Sequence, residues 1–97
     1  MESSPKPWHV YLVRCSDGSI YTGITDNVEA RLKKHNSGRG AKYTAQRRPV
    51  TLMHSEELLD QGSAMKRDAQ IKRWSKKQKE DLASGVLPKR RTNQKSA

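Results

Sequence analysis

Trp8-His9-Val10-Tyr11-Leu12-Val13-Arg14-Cys15, Ser16-Asp17-Gly18 and Ser19-Ile20-Tyr21-Thr22-Gly23-Ile24-Thr25 follow one another without a break, and how this stretch pairs with itself decides the fold. The outer segments are rich in Val, Ile, Tyr and Thr, which suit a pleated strand. Ser16-Asp17-Gly18 reads as the turn of a hairpin. A two-residue Asp17-Gly18 loop pairs Arg14 with Tyr21 and sends Tyr11 and Tyr21 to opposite faces. A three-residue loop, with Gly18 left-handed after a type I turn, pairs Val13 with Tyr21 and Tyr11 with Gly23. Both tyrosines then share one face, and Gly23 leaves space beside the Tyr11 ring. The sequence permits either register; the three-residue loop is preferred.

Downstream, Asp26 followed by Glu29 predicts a helix that runs to about Ser37 and stops at Gly38. Val28 and Leu32 mark its buried stripe, with Arg31 and His35 four apart on one flank. Residues 38–49 form a glycine-containing basic loop, and residues 51–58 a weaker third strand. A helix over residues 63–74 follows. Ser75 with Gln78 is a capping box for a last helix that ends at Ser84, with Gly85 as its C-terminal glycine. The order β-β-α-β-α-α predicts the α+β class: a small, three-stranded, mainly antiparallel sheet flanked by helices. Residues 1–7 are expected to be a disordered N-terminus, 8–85 one domain, and 86–97 a basic disordered tail.

Composition narrows the function. At 97 residues there is room for one domain with a two-layer core. The single cysteine, Cys15, excludes an internal disulfide and a cysteine-based zinc site, and reads as a small buried hydrophobe. Residues 1–7 carry one lysine and no apolar run, unlike a signal peptide, and residues 10–13, the longest apolar run, are too short to cross a bilayer. A cytoplasmic protein without a membrane partner is the resulting expectation. Lys and Arg number 20 against 10 acids, a net charge of +10, which points to a polyanion partner, DNA or RNA. The charge is segregated: no acid occurs over residues 30–55, where Lys34, Arg39, Lys42, Arg47 and Arg48 are candidates to face phosphates.

One acid is out of place. Ala64, Asp68, Ile71 and Trp74 share one helical stripe, so the Asp68 carboxylate interrupts a core-facing row. A buried carboxylate requires a partner: Arg, Lys or a metal ion. Each candidate has a bland reading, tyrosines as strand packing, Arg31 as a surface cation and His35 as a helix-end residue. Their joint occurrence in one small basic domain favours a site.

His9-Val10-Tyr11 and Tyr21-Thr22-Gly23 resemble the two namesake triplets of the GIY-YIG nuclease superfamily. Tyr21-Thr22-Gly23-Ile24-Thr25, Arg31-Leu32, His35-Asn36, residues 38–44 and Arg48-Pro49 resemble its small stand-alone bacterial YhbQ-like branch, and the resemblance spans residues 8–83. It implies an endonuclease that hydrolyses DNA phosphodiesters with a single divalent ion, Mg²⁺ or Mn²⁺, nicking or structure-selective, in DNA repair or recombination. Tyr11 or Tyr21 would activate or position the attacking water, Arg31 would stabilise transition-state charge, and His35 would relay a proton or orient the nucleophile. Gly23 would make room in the site, and Asp68 would hold the ion. The family residue at that position is glutamate; aspartate shortens the reach by about 1.5 Å, one C–C bond. The asparagine that many members carry beyond this helix has no counterpart between Asp68 and Leu87. The alternative is a catalytically weak or inactive nucleic-acid-binding module of the same fold, whose binding would respond to salt but not to Mg²⁺. A basic RNA- or ribosome-associated protein is a third reading.

Overall fold

The structure, a computed structural model, describes residues 6–85. Apart from Lys6 and Pro7, the expected N-terminal and C-terminal tails lie outside the described residues. Strands β1 (Trp8–Arg14), β2 (Ile20–Thr25) and β3 (Thr51–Leu58) form an antiparallel sheet in the order β2-β1-β3. The hairpin takes the three-residue loop, with Tyr11 opposite Gly23 and Val13 opposite Tyr21. Its turn has a local cause. Gly18 has φ 87°, a left-handed conformation that a side chain would disfavour. The Asp17 carboxylate accepts hydrogen bonds from the Ser19 backbone N–H at 3.0 Å and the Ser19 hydroxyl at 2.6 Å. Between β1 and β3 the register shifts at Leu12/Val13.

Four helices complete the chain: α1 (Val28–Asn36), α2 (Lys42–Ala45), α3 (Gln61–Lys72) and α4 (Lys76–Ser84). The α+β architecture expected from the sequence is present, with one addition, the short α2 inside the basic loop. Three boundaries differ. The cap of α1 is Asn27, whose side chain accepts from Ala30 N–H at 3.0 Å, while Asp26 pairs with Lys6 at 3.2 Å. Helix α3 starts two residues early because the Asp60 side chain caps it through Ser63 N–H at 2.8 Å, and it ends at Lys72. Helix α4 has the Ser75–Gln78 capping box and left-handed Gly85.

Alternation along β1 sends successive side chains to opposite faces. On one face Val10 and Leu12 pack against Ile71 of α3 and Leu82 of α4, joined by Ile20, Ile24, Met53, Leu58 and Trp74. Each fully buried aliphatic chain here contributes about 1.5–3 kcal/mol. The same face carries an ion cluster: Arg67 of α3 holds Glu56 of β3 through two bonds, 2.8 and 3.0 Å, and His54 meets Glu56 at 2.9 Å. Burial alone would raise the Glu56 carboxyl, but the bonds and charges of His54 and Arg67 hold it at about 2. On the opposite face Tyr11, Val13, Cys15 and Val50 cluster with Tyr21 and Leu32 of α1. Cys15 is buried, as expected of a small hydrophobe. Among the described residues no helix is long and apolar enough to cross a membrane.

Candidate active site

The α1-side face of the hairpin brings Tyr11, Tyr21, Gly23, Arg31 and His35 together. Tyr11, on the central strand and 2% exposed, lies across Gly23; a Cβ there would come within 2.7 Å of the Tyr11 oxygen and 2.9 Å of Cζ. Gly23 therefore makes the space for the phenol. The Tyr21 ring stands 6.4 Å from the Tyr11 ring and 5.4 Å from the His35 ring, meeting the latter edge-on.

His35 corrects the expectation for α1. It does not flank the buried stripe of the helix; it is fully buried, whereas Val28 and Leu32 are only half-buried. Such burial is tolerated because both ring nitrogens are bonded. Nε2 lies 2.8 Å from the Tyr11 hydroxyl and Nδ1 2.7 Å from the Thr44 hydroxyl. The network assigns the proton. Thr44 donates to the Ala41 carbonyl at 3.0 Å, so its oxygen accepts from Nδ1–H. Nε2 is then left to accept from the Tyr11 O–H. Burial and the Arg31 charge push the His35 pKa below its ordinary 6.5, which favours this neutral form.

Arg31 precedes His35 by one turn of α1 and is half-buried. Burial pushes the Tyr11 phenol up to about 12, helped by the Tyr21 and Asp68 charges and opposed by the charge and hydrogen bonding of Arg31. Tyr21, Arg31 and Asp68 thus all bear on the Tyr11 oxygen. Asp68 comes from α3, which packs on the apolar face. A cleft of about 280 Å³ at the edge of β2 is where the two sides meet: Ile20, Tyr21 and Thr22 of the strand, Tyr43 of α2, and Lys72 and Lys79 of α3 and α4.

The Asp68 carboxylate has one oxygen occupied and one not. Oδ2 meets Lys72 Nζ at 3.0 Å. Oδ1 is buried with no hydrogen-bond partner among the described residues. Of the partners predicted for this carboxylate, the structure supplies a lysine. No group of three or more His, Cys, Asp or Glu is placed to hold a metal among the described residues. Asp68 would hold a divalent ion here, with water and substrate oxygens completing its shell. That donor set fits Mg²⁺, which keeps several waters.

The basic candidates line the segment after α1. Lys34, Arg39 and Lys42 are exposed. Arg47 and Arg48 also shape the loop. Arg47 bonds Asp17 at 3.0 Å and the Tyr43 carbonyl at 2.8 Å, and its guanidinium lies 3.9 Å over the Tyr43 ring. Arg48 bonds the Ala45 carbonyl at 3.0 Å and packs on Gly38. Three contributors escaped the sequence reading. Thr44 sets the His35 tautomer. A Cβ at Gly40 would run into His35 Nδ1, so this glycine lets the loop close over the imidazole. Tyr43 stacks on Tyr21 at 6.0 Å. Only Tyr43 and Gly40 left a signal, an aromatic and a second glycine in a basic loop.

Residues 7–81 match the GIY-YIG catalytic domain. The chain is 52% identical over 71 residues to a UPF0213 protein of Staphylococcus haemolyticus, covering 73% of this chain and 87% of that protein. It is 51% identical over 74 residues to a UPF0213 protein of Halobacterium salinarum, covering 76% and 96%. Two solution NMR structures are similar at 42% identity. One is an E. faecalis protein, TM-score 0.58, covering 87% of this chain and 90% of that one. The other is a UPF0213 protein of Bacillus halodurans, TM-score 0.52, covering 80% and 83%.

Proposed function

The chain belongs to the GIY-YIG catalytic-domain family, and on that premise we propose that it is a divalent-metal-dependent DNA endonuclease. One small site per chain suits a nicking or structure-selective cut, of the kind used in repair or recombination. The observation that carries the reading is the hydrogen-bonded run from Tyr11 through His35 and Thr44 to the Ala41 carbonyl, beside Arg31.

A phenol held at about 12 is protonated at neutral pH and is no base by itself. It becomes one if its own proton can leave as another arrives. The attacking water gives a proton to the Tyr11 oxygen while Tyr11 passes its proton to His35 Nε2, which ends as an imidazolium bonded to Thr44. Arg31 stabilises the charge that gathers on the phosphate, and Tyr21 orients the water. Asp68 would hold the ion, which when bound supplies charge neutralisation at the phosphate and leaving oxygen. Lys34, Arg39, Lys42, Arg47 and Arg48 hold flanking phosphates, contacts that position DNA without reading its sequence.

The test is supercoiled plasmid with Mg²⁺ or Mn²⁺, beside Arg31→Ala. Relaxed circles from the wild type alone support the nuclease. A second reading, a nucleic-acid-binding module that no longer cuts, is favoured by aspartate in place of glutamate and by Lys72 on its carboxylate. It would retard the plasmid without relaxing it.

A further inference from the structure

Lys72 belongs at once to the carboxylate and to the cleft beside it. Its ammonium meets Asp68 Oδ2 at 3.0 Å, and it lines the cleft with Tyr21, Tyr43 and Lys79. The two partners are unequally committed. The Asp68 side chain is 17% exposed and the Lys72 side chain 55%. A half-buried carboxylate with one orphaned oxygen requires a cation close by. A lysine on a flexible four-carbon stem, pairing one turn along its own helix, loses little by leaving.

We propose that Lys72 stands in for the divalent ion at Asp68 in the free protein and, once displaced, turns into the cleft to hold a nucleic-acid phosphate. Ion and substrate then load together. The inference rests on the proposed role of Asp68 as the ion-holding carboxylate. The ammonium and a divalent ion on one carboxylate repel, so an arriving ion expels Lys72. In the cleft the displaced ammonium joins Lys79, an unfavourable pairing until an anion lies between them. A backbone phosphate supplies that anion, with Tyr21 and Tyr43 lining the cleft beside it. Linkage makes the effect reciprocal: whatever draws Lys72 off Asp68 strengthens ion binding, and the ion strengthens phosphate binding.

Mn²⁺ titrated into the wild type, Lys72→Met and Asp68→Asn, read by paramagnetic broadening of the Tyr11 and Tyr21 ring resonances, tests the first half. Lys72→Met should reach half-broadening at about fivefold less Mn²⁺, the order set by one partly exposed ion pair, and Asp68→Asn should stay sharp in that range. Unchanged or weaker Mn²⁺ binding in Lys72→Met, with Asp68 still required, overturns this inference alone. Broadening indifferent to Asp68→Asn overturns it together with the proposed ion site. The second half is read from the affinity for a short fluorescein-labelled DNA duplex with and without Ca²⁺. Ca²⁺ should tighten binding several-fold more in the wild type than in Lys72→Met or Lys72→Gln; equal tightening in all three overturns the coupling. Both variants sit at the exposed end of α3, and circular dichroism verifies their fold.

Discussion

The two faces of the sheet bury alternate residues of β1 for different ends. Toward α3 and α4, Val10 and Leu12 meet Ile71 and Leu82, and burial is converted to stability. Toward α1, neighbouring residues of the same strand bury Tyr11 against His35 and Thr44, polar groups that contribute less because each must find a partner. The alternation of one strand thus divides labour: one side holds the fold, the other holds the candidate site. At the edge of β2 the division is incomplete, because Lys72 of the apolar-side helix reaches the cleft lined by Tyr21 and Tyr43.

The sharpest break of this division is Tyr11→Phe, which removes one oxygen from the polar side. Cleavage of supercoiled plasmid should fall by about 10²–10⁴-fold, the range for loss of a positioned acid–base group. The loss leaves the buried Nε2 of His35 without its partner, so stability should fall by about 1–3 kcal/mol; unchanged cleavage would return Tyr11 to packing alone. Leu12→Ala probes the other side. Urea unfolding should show a loss of about 2–5 kcal/mol, with the cleavage rate per folded molecule retained. Gly40→Ala should lower activity by about tenfold, because the added methyl collides with His35. Its urea midpoint should shift less than that of Leu12→Ala.

Acid should separate the faces by pH. The His35 pKa is lowered from 6.5 by burial and Arg31, so the folded state resists its protonation. Stability is whole above about pH 6.5 and falls as the pH drops toward the lowered value. Glu56, lowered from 4.5 to about 2, keeps its contribution above 4.5 and loses it as the pH falls through about 2. Thermal melts from pH 8 to 2 should therefore fall in two limbs, and His35→Gln should erase only the upper one. The smallest effect expected is from Asp68→Glu. Restoring the missing methylene should raise Mg²⁺-dependent cleavage by a few-fold, within about 1 kcal/mol of barrier. Lost stability without gained activity would mark Asp68 as the partner of Lys72 alone.

The architecture was legible because local chemistry dictated it. Gly18 in the turn and the Val, Ile, Tyr and Thr content of the flanks predicted the hairpin, and the Ser75–Gln78 box predicted α4. Boundaries slipped where two residues compete for a role: Asp26 and Asn27 both make good caps, and position alone chose Asn27. The candidate site was legible as a set of residue types, since the two tyrosines, Arg31, His35 and Asp68 stand at strand and helix spacings. Its wiring was not. Thr44 meets His35 only because the path of residues 38–44 folds back over α1, and Gly40 matters only because that path is tight. Lys72 is the ordinary i, i+4 neighbour of Asp68, although the stripe pattern pointed inward for a partner.

Tyr11 sits in the middle strand, paired on both sides. Amides there exchange with solvent only when the whole domain opens, whereas α2, a single turn of helix, can open by itself. Heating should therefore silence the protein in two ways that calorimetry and assay would distinguish. Thr44 lets go of the imidazole first, a reversible dimming of activity with no heat-capacity peak, and the phenol is lost only at the cooperative melt.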